Sequence, residues 1–587
     1  VRRFAVVALA CSILTSSDAQ ATDSSPIAGR VAPEFSLADP AGKTYALGHF
    51  EHAPLVVVAF LGCECPLVTN LYAARLEKLA RQYQDSGLRV VAINSNIQDS
   101  IDDMRSFIDK QEITFPFLKD PEGRVADAFG ATRTPEVFLL DHKRVVRYQG
   151  RIDDQGQVGF IRKSAHRHDL SIAIDELLAG KEVSQPTLAA VGCLIGKPKQ
   201  TPSTTSITYA SHVAQIFQKR CVECHRTGEI GPFAMEQYDE VIGWADMIAE
   251  VVDQQRMPPW FASPAHGDFS NESRLTADER KTILDWVAAG APLGDPEALP
   301  PTRTFSTGWN IGKPDLVVPM AKKPLAVRAE GAIGYQHYVV DPGFLEDKWM
   351  TACEVRPGNR SVVHHVLVFC KAPGHRNLLD IFNGGLIAAY APGMPAFQAP
   401  AGVARRLPAG SKILIQMHYT TNGRATEDLS SVGFRFCDSS TVSSEIEALA
   451  ANNFFIAIPP HKADHPIKAV YHFQKDKLLV NLTPHMHMRG KSFRFEAVYP
   501  SGEREILLDV PRFDFNWQLQ YNLAKPKMMP KGTQLVCTAL YDNSAGNPAN
   551  PDPNQFVRFG EQTWDEMMIG WFTAMSPRQE EASVSSR

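Results

Sequence analysis

The sequence predicts a multidomain chain that changes class along its length: an α/β unit first, then an all-α unit, then two all-β sandwiches. Three observations carry this. The chain has 587 residues, several times a usual domain, a length that suggests about four compact units. From Pro33 to about Pro186, strand-like apolar runs alternate with amphipathic helical patterns, which is the signature of βαβ units. A helical block follows from about Tyr209 to Gly294. Beyond it, β-branched and aromatic runs recur between Gly, Pro and Asn turns as far as Met575.

Composition narrows the function classes. A hydrophobic content of 44%, a charged content of 21% and a net charge of -5 describe ordinary globular domains without a basic surplus, so nucleic acid is not an expected partner. Arg2 and Arg3 precede an apolar run, Phe4 to Leu14, and then Ala19, Gln20, Ala21, which reads as a signal peptide over residues 1–21 and predicts an exported, periplasmic protein. That run is too short to span a bilayer and no later run is long enough, so no stable membrane span is expected. The polar end, 576–587, reads as a tail. Ten cysteines are present; losing Cys11 with the leader leaves nine, an odd number, in a compartment that permits disulfides.

In the α/β unit, a buried strand from Leu55 to Leu61 feeds Gly62, Cys63, Glu64, Cys65, Pro66 and then a helix over Thr69 to Tyr83. This places Cys63 and Cys65 at a helix N-terminus, where the dipole favours thiolate. A further strand runs from Arg89 to Ile93, and Thr134, Pro135 precedes one at Glu136 to Leu140. The order resembles the thioredoxin and peroxiredoxin superfamily over residues 26–190, which implies a redoxin domain and a cis proline at Pro135. The spacing departs from that family's CxxC, since one residue separates the cysteines. Cys65, followed by Pro66, is the expected nucleophile, with Cys63 or the distant Cys193 as resolving partner; the alternative is a structural disulfide or a redoxin fold retained for docking.

A linker from Lys197 to Thr205 leads into the helical block. Cys221, Val222, Glu223, Cys224, His225 has the CxxCH spacing in which two thiols attach haem and the adjacent imidazole meets the iron. Met257, in Arg256, Met257, Pro258, Pro259, Trp260, is the expected sixth ligand because the prolines stop a helix and leave the thioether in a loop; Met235 and Met247 compete. A helix from Thr276 to Ala289, capped by Thr276 and closed by Gly290, completes the block. Residues 205–298 resemble small cytochrome c domains, which implies one covalent haem c and electron transfer.

The β half carries three histidine motifs. Strand periodicity aims His485 and His487 at one point. The strand Ser361 to Phe369 holds adjacent His364 and His365, whose side chains on a regular strand face opposite ways, and His418 ends another strand. The ordered set resembles the ascorbate-dependent type II copper monooxygenases, which include peptidylglycine- and dopamine-hydroxylating enzymes. The resemblance implies two jelly-roll copper domains, at 305–440 and 441–575. It also implies one copper at His364, His365 and His418, and another at His485, His487 and Met567, with Met568 as runner-up. Thr483 stands where peptide-processing members have Arg, and Met568 where a family disulfide partner of Cys537 would be.

Together the resemblances imply a copper-dependent monooxygenase that hydroxylates a small-molecule or peptide-like C–H substrate with O2, its electrons arriving from an external donor through the tethered haem. The alternative is a periplasmic thiol–disulfide or electron-transfer protein whose copper region binds or delivers metal.

Overall fold

The computed structural model describes residues 27–577 apart from 158, 163, 198–205, 230, 306–307, 330, 332, 376–384, 392–393 and 422–423. The expected signal peptide, most of the linker after Lys197 and the tail from residue 578 lie outside the described residues.

The first unit is a mixed seven-stranded sheet. Its strands are β1 (Ser36–Ala38), β2 (Thr44–Ala46), β3 (Leu55–Phe60), β4 (Leu88–Asn94), β5 (Phe117–Lys119), β6 (Glu136–Leu140) and β7 (Val146–Gly150), in the order β2-β1-β5-β4-β3-β6-β7. β3, β4 and β5 run parallel, whereas β6 and β7 are antiparallel to their neighbours. β3 is buried on both faces, as its unbroken apolar run requires. Val57 and Ala59 pack with residues of α1 (Ala73–Gln82), α2 (Ile101–Gln111) and α4 (Asp169–Leu178). Val56, Val58 and Phe60 pack with Val125, Ala126 and Phe129 of α3 (Arg124–Phe129). Each such aliphatic side chain contributes about 1.5–3 kcal/mol through burial. The helix after Cys65 begins as one π turn, Val68–Tyr72, before α1.

The second unit contains α5 (Ala214–Arg220), α6 (Tyr238–Ile242), α7 (Ala245–Asp253) and α8 (Ala277–Ala288), packed on Phe217, Trp244, Ile248, Ile283 and Trp286. The Thr276 hydroxyl accepts the Glu279 N–H at 3.1 Å, capping α8. The unit is not self-contained, in contrast to the single block expected over 205–298. Trp260, Phe261, Ala262 and Phe269 leave it and join the core of the second sandwich. Trp260 and Phe269 meet Tyr521 edge-on at 4.9 and 5.6 Å, so aromatic packing ties this segment to the second sandwich.

The β half comprises β8 (Leu316–Pro319), β9 (Gln336–Val340), β10 (Lys348–Arg356), β11 (Val363–Lys371), β12 (Leu386–Tyr390), β13 (Val403–Leu407), β14 (Lys412–Tyr419), β15 (Ser431–Cys437), β16 (Ser444–Asn452), β17 (His465–His472), β18 (Lys477–His485), β19 (Gly490–Val498), β20 (Arg504–Val510), β21 (Tyr521–Met529), β22 (Gln534–Tyr541) and β23 (Ile569–Met575). Two four-stranded sheets, β9-β14-β11-β12 and β17-β22-β19-β20, each share a core with half of one long sheet, β8-β15-β10-β13-β16-β23-β18-β21, on whose β10 the pair Phe397–Gln398 also rests. The expected boundary at 440/441 therefore separates two cores but not two sheets. β13 and β16 pair in parallel at Val403↔Ser444 and Ala404↔Glu445, so backbone hydrogen bonding runs through the junction.

All nine cysteines among the described residues are thiols. No helix among them is long and apolar enough to cross a membrane.

Candidate functional site

The thiol site forms where the loop after β3 meets a strap near residue 193. Cys65 is fully buried, its Sγ 3.0 Å from the Thr134 carbonyl oxygen, beside the cis Thr134–Pro135 bond. The strap Cys193–Leu194 pairs antiparallel with Arg133–Thr134, which sets Cys193 opposite Thr134 and within side-chain hydrogen bonding of Cys65. Burial opposes ionisation of Cys65, but hydrogen bonds from the Cys193 side chain and from the backbone N–H groups of Cys193 and Val68 outweigh it and lower the thiol. Cys193 is pushed up by its bond to Cys65 and by burial. Cys63 lies differently. Its N–H donates to Asp99 Oδ2 at 2.9 Å, Asn94 Nδ2 lies 3.6 Å from its sulfur, and burial with Asp99 raises its thiol. Of the two partners expected for Cys65, the fold brings in Cys193.

The strap also joins the helical unit. Leu194 N–H points to Met247 Sδ at 3.4 Å, which accounts for Met247 as packing. Glu250 on α7 binds Arg133 at 2.7 Å and Arg256 at 2.6 Å.

Around the CxxCH motif, Cys221 and Cys224 are half-buried and burial raises both thiols. His225 Nδ1 lies 3.1 Å from the Phe233 carbonyl oxygen, which leaves Nε2 as the free ring nitrogen when Nδ1 donates. Gly231 permits this approach, since a Cβ there would stand 2.7 Å from His225 Nδ1. Donor set and tautomer both fit haem attachment. Met235 is buried in the helical core, whereas Met257 is half-buried beside the cis Met257–Pro258 bond.

The histidine motifs converge. Adjacent residues on a regular strand would diverge, but the β11–β14 register shifts between Val363 and His365, so His364 is the extra residue of a bulge and turns to the side of its neighbour. His365 then pairs directly with His418. One ring nitrogen from each of His364, His365 and His418 lies within 4.8 Å of the others. The nearest nitrogens are 3.1 Å (His364 to His365) and 3.3 Å (His418 to His365) apart. Burial, and for His365 and His418 the neighbouring imidazoles as well, lower these rings, His364 to about 4. Neutral imidazoles crowded this closely are a donor set for a cation.

β18 ends at His485, so His487 lies beyond the strand expected to carry both. Their rings still stand 5.3 Å apart. His485 Nδ1 meets Gln518 Oε1 at 2.5 Å, while His487 Nε2 is buried without a hydrogen-bond partner among the described residues. His485 pairs with Ile569, two residues after Met567. Met567 shares a cluster with Ile569 and Trp571, the face of His485, whereas Met568 is buried in the sandwich core. Glu566 holds the turn: its Oε2 accepts the His487 N–H at 2.9 Å and its Oε1 the Arg489 N–H at 2.7 Å.

Phe515 lies between the clusters, stacked on His364 at 5.4 Å and edge-on to His487 at 6.0 Å. Sequence reasoning missed Phe515, Gln518 and Glu566. Only Glu566 carried a signal, its place beside Met567. An open cleft between the sandwiches reaches both His365 and His485 and is lined by Thr483, Arg405, Gln518 and Trp571.

The model of the AhpC/TSA family matches residues 28–149. Over 127 residues the chain is 29% identical to a chloroplastic peroxiredoxin Q of Triticum aestivum, covering 20% of this chain and 57% of that protein. It is 29% identical over 121 residues to the thiol-disulfide oxidoreductase ResA of Halalkalibacterium halodurans, covering 20% of this chain and 66% of the relative. It is 32% identical over 120 residues to the thioredoxin-like protein YneN of Bacillus subtilis, covering 20% and 68%. The chain thus spans less than two thirds of the first two relatives. The family match covers the unit that contains Cys63, Cys65 and Pro135. Through residues 28–149, the chain belongs to the thioredoxin-like proteins of the AhpC/TSA family.

Proposed function

We propose that the chain is an exported, copper-dependent monooxygenase in which thiol, haem and copper centres are tethered in one electron-transfer unit. The observation that carries this reading is the convergence of five imidazoles, half-buried His364 and buried His365, His418, His485 and His487, on the two sides of Phe515. His364, His365 and His418 hold one copper; His485, His487 and Met567 hold the other, with the thioether favouring the cuprous state. Bound copper supplies one-electron redox chemistry and oxygen activation. One oxygen atom enters a C–H bond of the substrate and the other leaves as water, with two electrons and two protons supplied.

The chain's own residues set the rest. Glu566 and Gln518 orient His487 and His485, and the cavity reached by His365 and His485 admits substrate. Cys221, Cys224 and His225 would hold a c-type haem, with the Met257 thioether as a further candidate ligand. Glu229, soon after that motif, pairs with Arg360 at 2.8 Å, four residues before His364, so the attachment site adjoins the electron-receiving cluster. Tethering replaces a diffusive encounter with a high effective concentration.

A second reading is favoured by the Cys65–Cys193 contact: thiol–disulfide exchange as the activity, with the β half only holding metal. There the Cys65 thiolate attacks a peroxide or a disulfide, and Cys193 displaces the leaving group to close an intramolecular disulfide. Metal analysis of the purified full chain tests both; about two coppers and one iron per chain are expected for the first. With the haem prereduced and oxygen added, His485→Ala reoxidises it far more slowly than wild type. Equal rates refute the haem-to-copper route and leave the second reading.

A further inference from the structure

The loop between β20 and β21 touches both histidine clusters at once. Within five residues it supplies Phe515, stacked on His364 with 14° between ring planes and edge-on to His487; Asn516, with a side-chain hydrogen bond to His364; and Gln518, bonded to His485 Nδ1. Phe515 also lies 6.4 Å from His418. The loop belongs to the second sandwich, whereas His364 and His418 belong to the first, so it is the second sandwich's direct hold on the first cluster. It is anchored from a third side as well, because Asn516 Nδ2 donates to the Gly159 carbonyl oxygen of the thioredoxin-like unit at 2.7 Å.

Resting on the copper reading above, we propose that the loop 514–518 couples the two metal sites, with Phe515 as its central positioning residue. An ion at His364, His365 and His418 fixes the His364 ring, and with it the face on which Phe515 stacks. Phe515 and Gln518 move as one short loop, so fixing Phe515 also fixes the Gln518 carbonyl that selects the His485 tautomer. The ordering cost met by the first ion is not met again by the second, so the sites fill with positive cooperativity.

Cu(I) binding to the full chain, read by competition with a chromophoric chelator, tests this without any turnover. In the wild-type background, His364→Ala is expected to weaken binding at the His485/His487 site by about tenfold, within the usual range of site–site coupling. In a Phe515→Leu background the same substitution is expected to change that affinity less than about twofold, the coupling having been removed. Phe515→Tyr, which keeps the ring, restores it. Should Phe515→Leu fail to fold, Asn516→Ala replaces it in the same cycle, with the same expectation. An equal effect of His364→Ala with and without Phe515 overturns the coupling and leaves the copper sites standing. A wild-type chain that takes up fewer than about two coppers overturns the copper reading itself.

Discussion

Cys193 stands opposite Thr134 in a two-stranded ladder, and the Thr134 carbonyl oxygen on the other side of that contact lies 3.0 Å from Cys65 Sγ. A residue 128 positions away in the sequence is thereby brought to a thiol whose ionisation the fold promotes. Treatment with peroxide or a small disulfide is expected to join Cys65 to Cys193. Non-reducing peptide mapping by mass spectrometry detects the crosslink. Cys193→Ser abolishes it, and Cys63→Ser leaves it in place.

The rate of that oxidation has a defined pH dependence. Cys65 ionises below the ordinary thiol value of about 8.5, so its thiolate is present between the lowered and the ordinary value and is lost as pH falls through the lowered one. Plotted against pH, the rate of Cys65 oxidation reaches half its plateau below pH 8.5. A midpoint at or above that value contradicts the hydrogen-bonded environment described here.

Gly192 positions the strap. A Cβ at this residue would lie 2.0 Å from the Thr134 carbonyl oxygen, so Gly192→Ala forces the strap away from the thiol. The expected cost is about 1–3 kcal/mol, visible as a lower thermal midpoint, and the yield of the Cys65–Cys193 crosslink falls with it.

Haem attachment is checked spectroscopically. Expressed with a c-type maturation system, the wild-type chain is expected to give a pyridine haemochrome that survives acid–acetone extraction. Cys221→Ala with Cys224→Ala removes that signal, while the thermal transition of the thioredoxin-like unit changes little, because its core lies outside the helical unit.

Glu566→Gln isolates the orientation of His487. Glu566 is fully buried, burial pushes its carboxyl up to about 8, and both oxygens accept backbone N–H groups. An amide offers one acceptor to those two donors, at a cost of about 1–3 kcal/mol. Copper affinity at His485 and His487 is expected to fall roughly 10–100-fold, while the cluster around His418 retains its own ion.

Where local pattern determines structure, the sequence was readable. The unbroken run at β3, the Thr276 cap of α8 and the switch from helical to strand periodicity all reappear in the fold, because each depends on neighbours along the chain. The thiols and imidazoles were identifiable by type and spacing. Their geometry was not. The bulge that turns His364 toward His365 depends on register against β14, the approach of Cys193 depends on a strap folding back across about sixty residues of β6, β7 and α4, and Phe515 has no motif around it. The aromatic cluster that draws Trp260 into the second sandwich is likewise invisible to a window that ends at the next proline.

The parallel pairing of Val403 with Ser444 and Ala404 with Glu445 has a mechanical consequence. Backbone hydrogen bonds join the two cores into one sheet, which restrains swivelling of either as a separate body. The gap across Phe515 is set by backbone geometry, as a machined clearance is set by its frame.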